Sequence, residues 1–121
     1  MTAAARLPRD FPVGTDRIEK LRQMGFSTDE LHRIVAPRRT LARRKELGET
    51  LSPAESDRVL RLERISEHAD RVFGNHEKAQ RWLRSELIAL DGVRPIDLLE
   101  TEAGAHTIYE ELVRIDYGMF A

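Results

Sequence analysis

Apolar residues recur along this chain at three- and four-residue intervals between glycine and proline breaks, a rhythm that predicts short amphipathic helices. Ile18, Leu21 and Met24 form the first stripe, with Thr15 read as its N-cap and Gly25 as its stop. Ser27-Thr28-Asp29-Glu30 has the pattern of a capping box, and Leu31, Ile34 and Val35 continue it as a second helix. Pro37 disfavours helical backbone at Ala36 but suits the first turn of a new helix, so a third helix is expected from Arg38 to about Leu47, ended by Gly48.

Ser52-Pro53-Ala54-Glu55 repeats the capping-box signal and opens a long helix whose inner face is Val59, Leu62, Ile65, Ala69, Val72 and Phe73. Gly74-Asn75 breaks it. Asn75 is a cap for a helix bearing Ala79, Trp82 and Leu83, in which Trp82 reads as a core anchor. Leu87 to Val93 lacks a clear period. Pro95 starts a turn with Ile96, Leu98 and Leu99, where Asp97 is favourable near a helix N-terminus, and Thr101 caps a last helix with Ala105, Ile108, Leu112 and Ile115. Residues 1–14, rich in alanine and proline without periodicity, read as a mobile arm. No strand pair or internal repeat is apparent, so the expected class is all-α: an arm at 1–14, a helix-turn-helix region at 15–51, and a helical domain at 52–121.

Composition narrows the function. With 40% hydrophobic and 34% charged residues in 121, the chain has enough apolar material for a folded domain and a heavily solvated surface. The absence of cysteine removes disulfides, thiol nucleophiles and thiolate metal sites. No apolar run approaches the roughly 20 residues of a membrane-spanning helix, and the start lacks the apolar stretch of a secretory signal, so a cytoplasmic protein with no membrane partner is expected. His32, His68, His76 and His106 are scattered without metal-ligand spacing. There is no glycine-rich phosphate loop, and no carboxylate pair is set apart for acid–base work. The reading is of a non-enzyme with no catalytic residue, metal or cofactor.

The net charge of −1 conceals a dipole: residues 1–52 carry 11 Lys/Arg against 7 Asp/Glu, whereas residues 53–121 carry 9 against 14. Such asymmetry points to two surfaces with different partners. The basic part culminates in the helix after Pro37, Arg38-Arg39-Thr40-Leu41-Ala42-Arg43-Arg44-Lys45, which occupies the place of a recognition helix. With Leu41 inward, Arg39 and Arg43 fall opposite it and Thr40 and Arg44 on the adjoining flank, all four facing a DNA groove. Arg38 and Lys45 are placed to meet phosphates. Arginine suits this task because its fork matches the O6 and N7 acceptors of guanine.

These segments, taken in order, resemble the Xre antitoxins whose C-terminal half is the MbcA/ParS/Xre toxin-binding domain, partners of RES-domain toxins. The resemblance is carried by Pro37-Arg38-Arg39-Thr40-Leu41, Leu51-Ser52-Pro53, Val72-Phe73-Gly74, Trp82-Leu83 and Arg94-Pro95 with Asp97-Leu98-Leu99. It continues through Thr101-Glu102-Ala103-Gly104-Ala105 to Ile115-Asp116-Tyr117-Gly118. Many members have an Asn-Pro turn soon after the Trp-Leu pair, where this chain has Arg84-Ser85-Glu86-Leu87-Ile88-Ala89-Leu90. The resemblance implies an antitoxin that blocks the active-site cleft of a NAD-degrading RES toxin encoded next to it. It also implies a chain that represses its own promoter by binding operator DNA and works as a homodimer within a hetero-oligomeric complex.

Tyr117, Gly118, Met119, Phe120 and Ala121 suit toxin contact, since five residues after a helix are too few to build a core of their own. Two other readings stay open: the aromatic groups fold back on their own bundle, or the chain is a dimeric helix-turn-helix regulator with no toxin. A scaffold for protein partners alone leaves the Arg38 to Lys45 cluster without a purpose.

Overall fold

A computed structural model describes residues 7–120, and Met1–Arg6 and Ala121 lie outside it. Within those bounds the chain is all-helical: α1 (Asp16–Gln23), α2 (Thr28–Ile34), α3 (Arg38–Leu47), α4 (Pro53–Phe73), α5 (His76–Leu83) and α6 (Glu102–Phe120). Two 3-10 turns, Ile88–Leu90 and Pro95–Leu98, join α5 to α6. Among the described residues the only β pairing is an isolated antiparallel bridge, Leu87 to Val93, which closes the unperiodic segment into a tight loop.

The helix boundaries follow from local chemistry. Ser27 and Ser52 each accept from the amide three residues on, while Glu30 and Glu55 reach back to the cap amides, so both capping boxes form. Asn75 accepts from the Lys78 amide, and Thr101 Oγ1 from the Gly104 amide at 3.0 Å. Gly48 and Gly74 end α3 and α4 in the left-handed conformation, at φ of 65° and 64°. Thr15 departs from expectation: it sits in helical geometry and its side chain makes no cap bond.

The 21-residue α4 is the axis of the molecule, packed against α1, α5 and α6. Its Val59, Leu62, Ile65, Ala69 and Val72 meet Leu21 of α1, Leu31 and Ile34 of α2, Leu83 of α5, and Ile108 and Leu112 of α6 in one continuous core. Trp82 is half-buried at the edge of that core, its ring 5.5 Å from that of Phe73. α4 also turns Glu55, Ser56, Arg61, Glu63 and Ser66 inward, and each finds a partner, whereas the buried Nε2 of His68 has none among the described residues. Glu63 takes a two-pronged bond from Arg17 of α1 (2.8 and 2.6 Å). Arg61 donates to the carbonyls of Leu99 and Glu100, both at 3.3 Å, and pairs with Glu102, fixing the entry to α6.

Residues 11–14 are not the mobile arm that their composition suggests. Val13 is fully buried; its amide donates to Ser56 Oγ at 3.0 Å and its carbonyl accepts from the Leu51 amide at 2.9 Å. The apolar valine joins the core beside α4, and both of its backbone polar groups are paired there. The part of the expected arm covering Met1–Arg6 lies outside the described residues.

Gly104 shows how closely α6 approaches the preceding turn, since a Cβ there would stand 1.8 Å from the Leu98 carbonyl oxygen. Alanine is worth about 1 kcal/mol over glycine in an unhindered helix. Here we expect the reverse: Gly104→Ala lowers the free energy of unfolding by about 2 kcal/mol in urea titration, because backbone must move to admit the methyl group.

Candidate DNA and partner interfaces

Helices α2 and α3 meet across Ala36-Pro37 as the two members of a helix-turn-helix. Val35 and Ala36 are buried, Pro37 stands at the N-cap of α3 in extended geometry, and Leu41 is the one buried residue of α3. Anchoring Leu41 leaves Arg39 and Arg43 on the solvent side, exposed as the helical wheel predicts. Arg38 and Lys45 are also exposed and stand at the rim of an open depression of about 690 Å³ between α1, α2 and α3. Thr40 is half-buried.

Arg44 is used differently from the groove-facing role that its position on the wheel suggests. Its Nε lies 2.7 Å and its Nη2 3.3 Å from the two carboxylate oxygens of Glu55, the same side chain that closes the capping box of α4. Burial by itself raises the Glu55 pKa, but the Ser52 amide and the Arg44 guanidinium outweigh it and hold the carboxyl below its ordinary range. Arg44 therefore ties the end of α3 to the start of α4. The spacing within the basic run gave no sign of this, since the partner lies eleven residues on, beyond a loop.

α2 is held from both ends. The Arg84 guanidinium, at the C-cap of α5, grips Glu30 and the Gly25 carbonyl. At the other end Arg58 of α4 donates to the Val35 carbonyl at 3.0 Å, and Arg33 pairs with Asp97 at 3.1 Å. Asp97 also receives two bonds of 2.9 Å from Arg94, whose hydrogen bonds, against some burial, depress the carboxyl. Its part is thus to join α2 to the turn before α6, which goes beyond packing near a helix N-terminus.

At the other end of the molecule, α6 does not stop at Asp116. It continues through Phe120, so Tyr117 to Phe120 belong to a helix and do not form a separate tail as expected. Tyr117 projects from it, 79% exposed, which excludes for this residue the reading that it folds back onto its own bundle. Gly118 has nothing within 4 Å of where a Cβ would stand, so nothing among the described residues requires a glycine there. About two turns earlier on α6, Tyr109 is half-exposed and stacks on His68, with ring centres 5.0 Å apart. Burial lowers the His68 pKa, Arg71 adds to this, and Asp116 opposes it. Among the described residues no group of His, Asp and Glu is placed to hold a metal ion, and no helix is long and apolar enough to cross a membrane.

Comparison with known proteins agrees with this two-ended arrangement. Residues 20–64 match the antitoxin Xre-like helix-turn-helix domain, and residues 68–118 match the antitoxin Xre/MbcA/ParS C-terminal toxin-binding domain. An antitoxin Xre of Yersinia enterocolitica is 30% identical over 124 residues, which cover 89% of this chain and 83% of that protein. The chain belongs to the Xre antitoxin family. An antitoxin Xre of Pseudomonas putida is 35% identical over 99 residues, 82% of this chain and 62% of the relative, so the chain spans less than two thirds of that protein's length. A Prs ADP-ribosylating antitoxin of a Sphingobium strain is 35% identical over 91 residues, 68% of this chain and 57% of that one. Membership places the chain among antitoxins and not among enzymes. The helix-turn-helix match runs on to residue 64, inside α4, and the toxin-binding match begins at residue 68 of the same helix, so α4 is shared by the two.

The structure separates two classes of arginine on α3, and variants distinguish them. Arg39→Ala with Arg43→Ala is expected to abolish retardation of promoter DNA in a gel-shift titration at fixed salt while leaving helicity intact. Arg44→Ala is expected instead to destabilise the fold by about 2 kcal/mol, read as a lower midpoint in urea, because Glu55 loses its charged partner.

Proposed function

We propose that this antitoxin neutralises a NAD-degrading RES-domain toxin encoded beside it, using the end of α6 to enter the toxin's active-site cleft. Through α3 it binds its own operator and represses transcription. The observation that carries the first part is the conjunction of the toxin-binding match at residues 68–118 with an exposed Tyr117 at the far end of that segment. A large aromatic group in water costs hydration free energy that a partner's pocket recovers, about 2 kcal/mol for full burial. Gly118 fits the same reading: it is a weak point in the last turn, spaced to let another backbone approach, and its own fold does not call for it.

Tyr117, Gly118, Met119, Phe120 and Ala121 form the proposed plug, of which Ala121 lies outside the described residues. Blocking a nucleotide-sized cleft needs bulk and fit, not chemistry. For the operator, Arg39 and Arg43 are placed toward base edges, with Arg38, Lys45 and Thr40 toward phosphates or neighbouring base edges. Reading two half-sites requires two copies of α3, so the DNA-bound form is a homodimer within the toxin–antitoxin assembly.

The test is co-expression with the adjacent reading frame, followed by copurification and an assay of NAD consumption with and without this chain. We expect the full chain to restore growth and stop NAD loss, and deletion of residues 117–121 to release toxicity while operator binding survives. Continued neutralisation by the truncated chain contradicts the plug. Gly118→Ala gives a sharper contrast, since it is expected to raise thermal stability by roughly 0.5–1 kcal/mol while weakening toxin copurification.

A further inference from the structure

Five hydrogen bonds converge on the Arg84 guanidinium. Two stay within α5, to the carbonyl and side chain of Gln80 at 3.1 and 2.7 Å. The other three cross to the helix-turn-helix: Nε and Nη2 grip Glu30 at 3.0 and 2.8 Å, and Nη2 reaches the Gly25 carbonyl at 2.9 Å. The Phe26 ring lies under the guanidinium, 5.9 Å away. Arg84 thus belongs by sequence to the residues matched as toxin-binding domain, while most of its bonding is spent on the residues matched as helix-turn-helix domain.

Glu30 is a consequential target. It also accepts from the Ser27 amide at 2.8 Å, so one carboxylate both starts α2 and anchors it to α5. α2 is only seven residues long and is followed at once by the buried Val35-Ala36 step and Pro37, which leaves no slack before α3 begins. A tilt of α2 is passed to α3 and moves the exposed Arg39 and Arg43 by a similar angle. Arg84 also stands at the head of the loop from Ser85 to Val93, which the Leu87–Val93 bridge closes.

We propose that Arg84 is a positioning residue for DNA binding, by which the toxin-binding unit sets the pose of the recognition helix without touching DNA. The inference rests on the DNA-reading role given to α3 above. Recognition by bidentate arginines tolerates little error in orientation, so loosening the clamp lowers affinity without removing a contact.

The experiment measures binding of purified full-length chain to a labelled duplex spanning the promoter upstream of its reading frame, by fluorescence anisotropy over a range of salt. Arg84→Ala is expected to bind roughly tenfold more weakly, in the ordinary range of site-to-site coupling. Its salt dependence should match wild type and its copurification with the toxin should be unimpaired. Arg39→Ala, which removes a cation at the DNA, should by contrast shift the slope of log K against log salt by about 0.9. That difference separates positioning from contact, and retained toxin binding separates it from general unfolding. Glu30→Gln preserves the capping box but weakens the clamp, and is expected to lose affinity in the same direction by a smaller factor. Wild-type affinity in Arg84→Ala overturns the proposal, as does a reduced salt slope, and so does wild-type affinity in Glu30→Gln should Arg84→Ala fail to fold. If the wild-type chain itself leaves the duplex unbound, the DNA-reading role of α3 falls and takes this inference with it; binding by wild type and both variants alike sinks the role of Arg84 alone.

Discussion

A helix that carries charge into a protein interior must have every charge met, because an unpaired buried ion costs several kcal/mol and no apolar packing around it recovers that loss. The first half of α4 lives under this constraint. Glu55, Arg61 and Glu63 are all buried, and they are satisfied by Arg44 of α3, by the carbonyls and carboxylate at the entry to α6, and by Arg17 of α1. These are three separate elements. Meeting the charges of α4 therefore fixes the position of the helix before it, the helix two before that, and the helix that ends the chain. Packing of Leu62, Ile65 and Ala69 supplies the attraction, and the polar pairs select one arrangement among the many that equal burial would allow.

The same constraint divides the cations by function. Arginines that meet a carboxylate or carbonyl inside the molecule, such as Arg17, Arg44, Arg58, Arg61 and Arg84, are withdrawn from the surface and hold helices together. Arg38, Arg39 and Arg43 are exposed on α3, available for phosphates and bases. The count of charges in the basic run therefore overstates the surface proposed for DNA by the one residue tied to Glu55. The opposite end works by a comparable economy: Ala105, Ile108 and Leu112 of α6 face the core, while Tyr109 and Tyr117 are left outward where a partner protein can cover them.

Much of this architecture was legible in the sequence because local chemistry dictates it. Ser27/Glu30, Ser52/Glu55, Asn75 and Thr101 start helices for the reasons their side chains suggest, and Gly48 and Gly74 stop them. The core positions of α4 and α6 follow from their spacing, and so does the outward face of Arg39 and Arg43. What escaped reading depends on partners far away in the chain. No local pattern reveals that Arg84 meets Glu30, that Arg33 meets Asp97, or that Val13 slots beside Ser56, because each pair is brought together only when the bundle closes. The continuation of α6 through Tyr117 to Phe120 was obscured by Gly118, a residue that weakens a helix without ending it here.

These ties make the helix-turn-helix and the toxin-binding segment a single cooperative body built on one shared helix, and that is the claim on which both functional surfaces depend. Native-state hydrogen exchange at increasing urea tests it most directly. The amides of Val35 and Leu41, bonded to the carbonyls of Leu31 and Pro37, should open with the same free energy and the same urea dependence as those of Ile108 and Leu112 in α6. Opening of the α2–α3 amides at a distinctly lower free energy, while α6 stays protected, would contradict it.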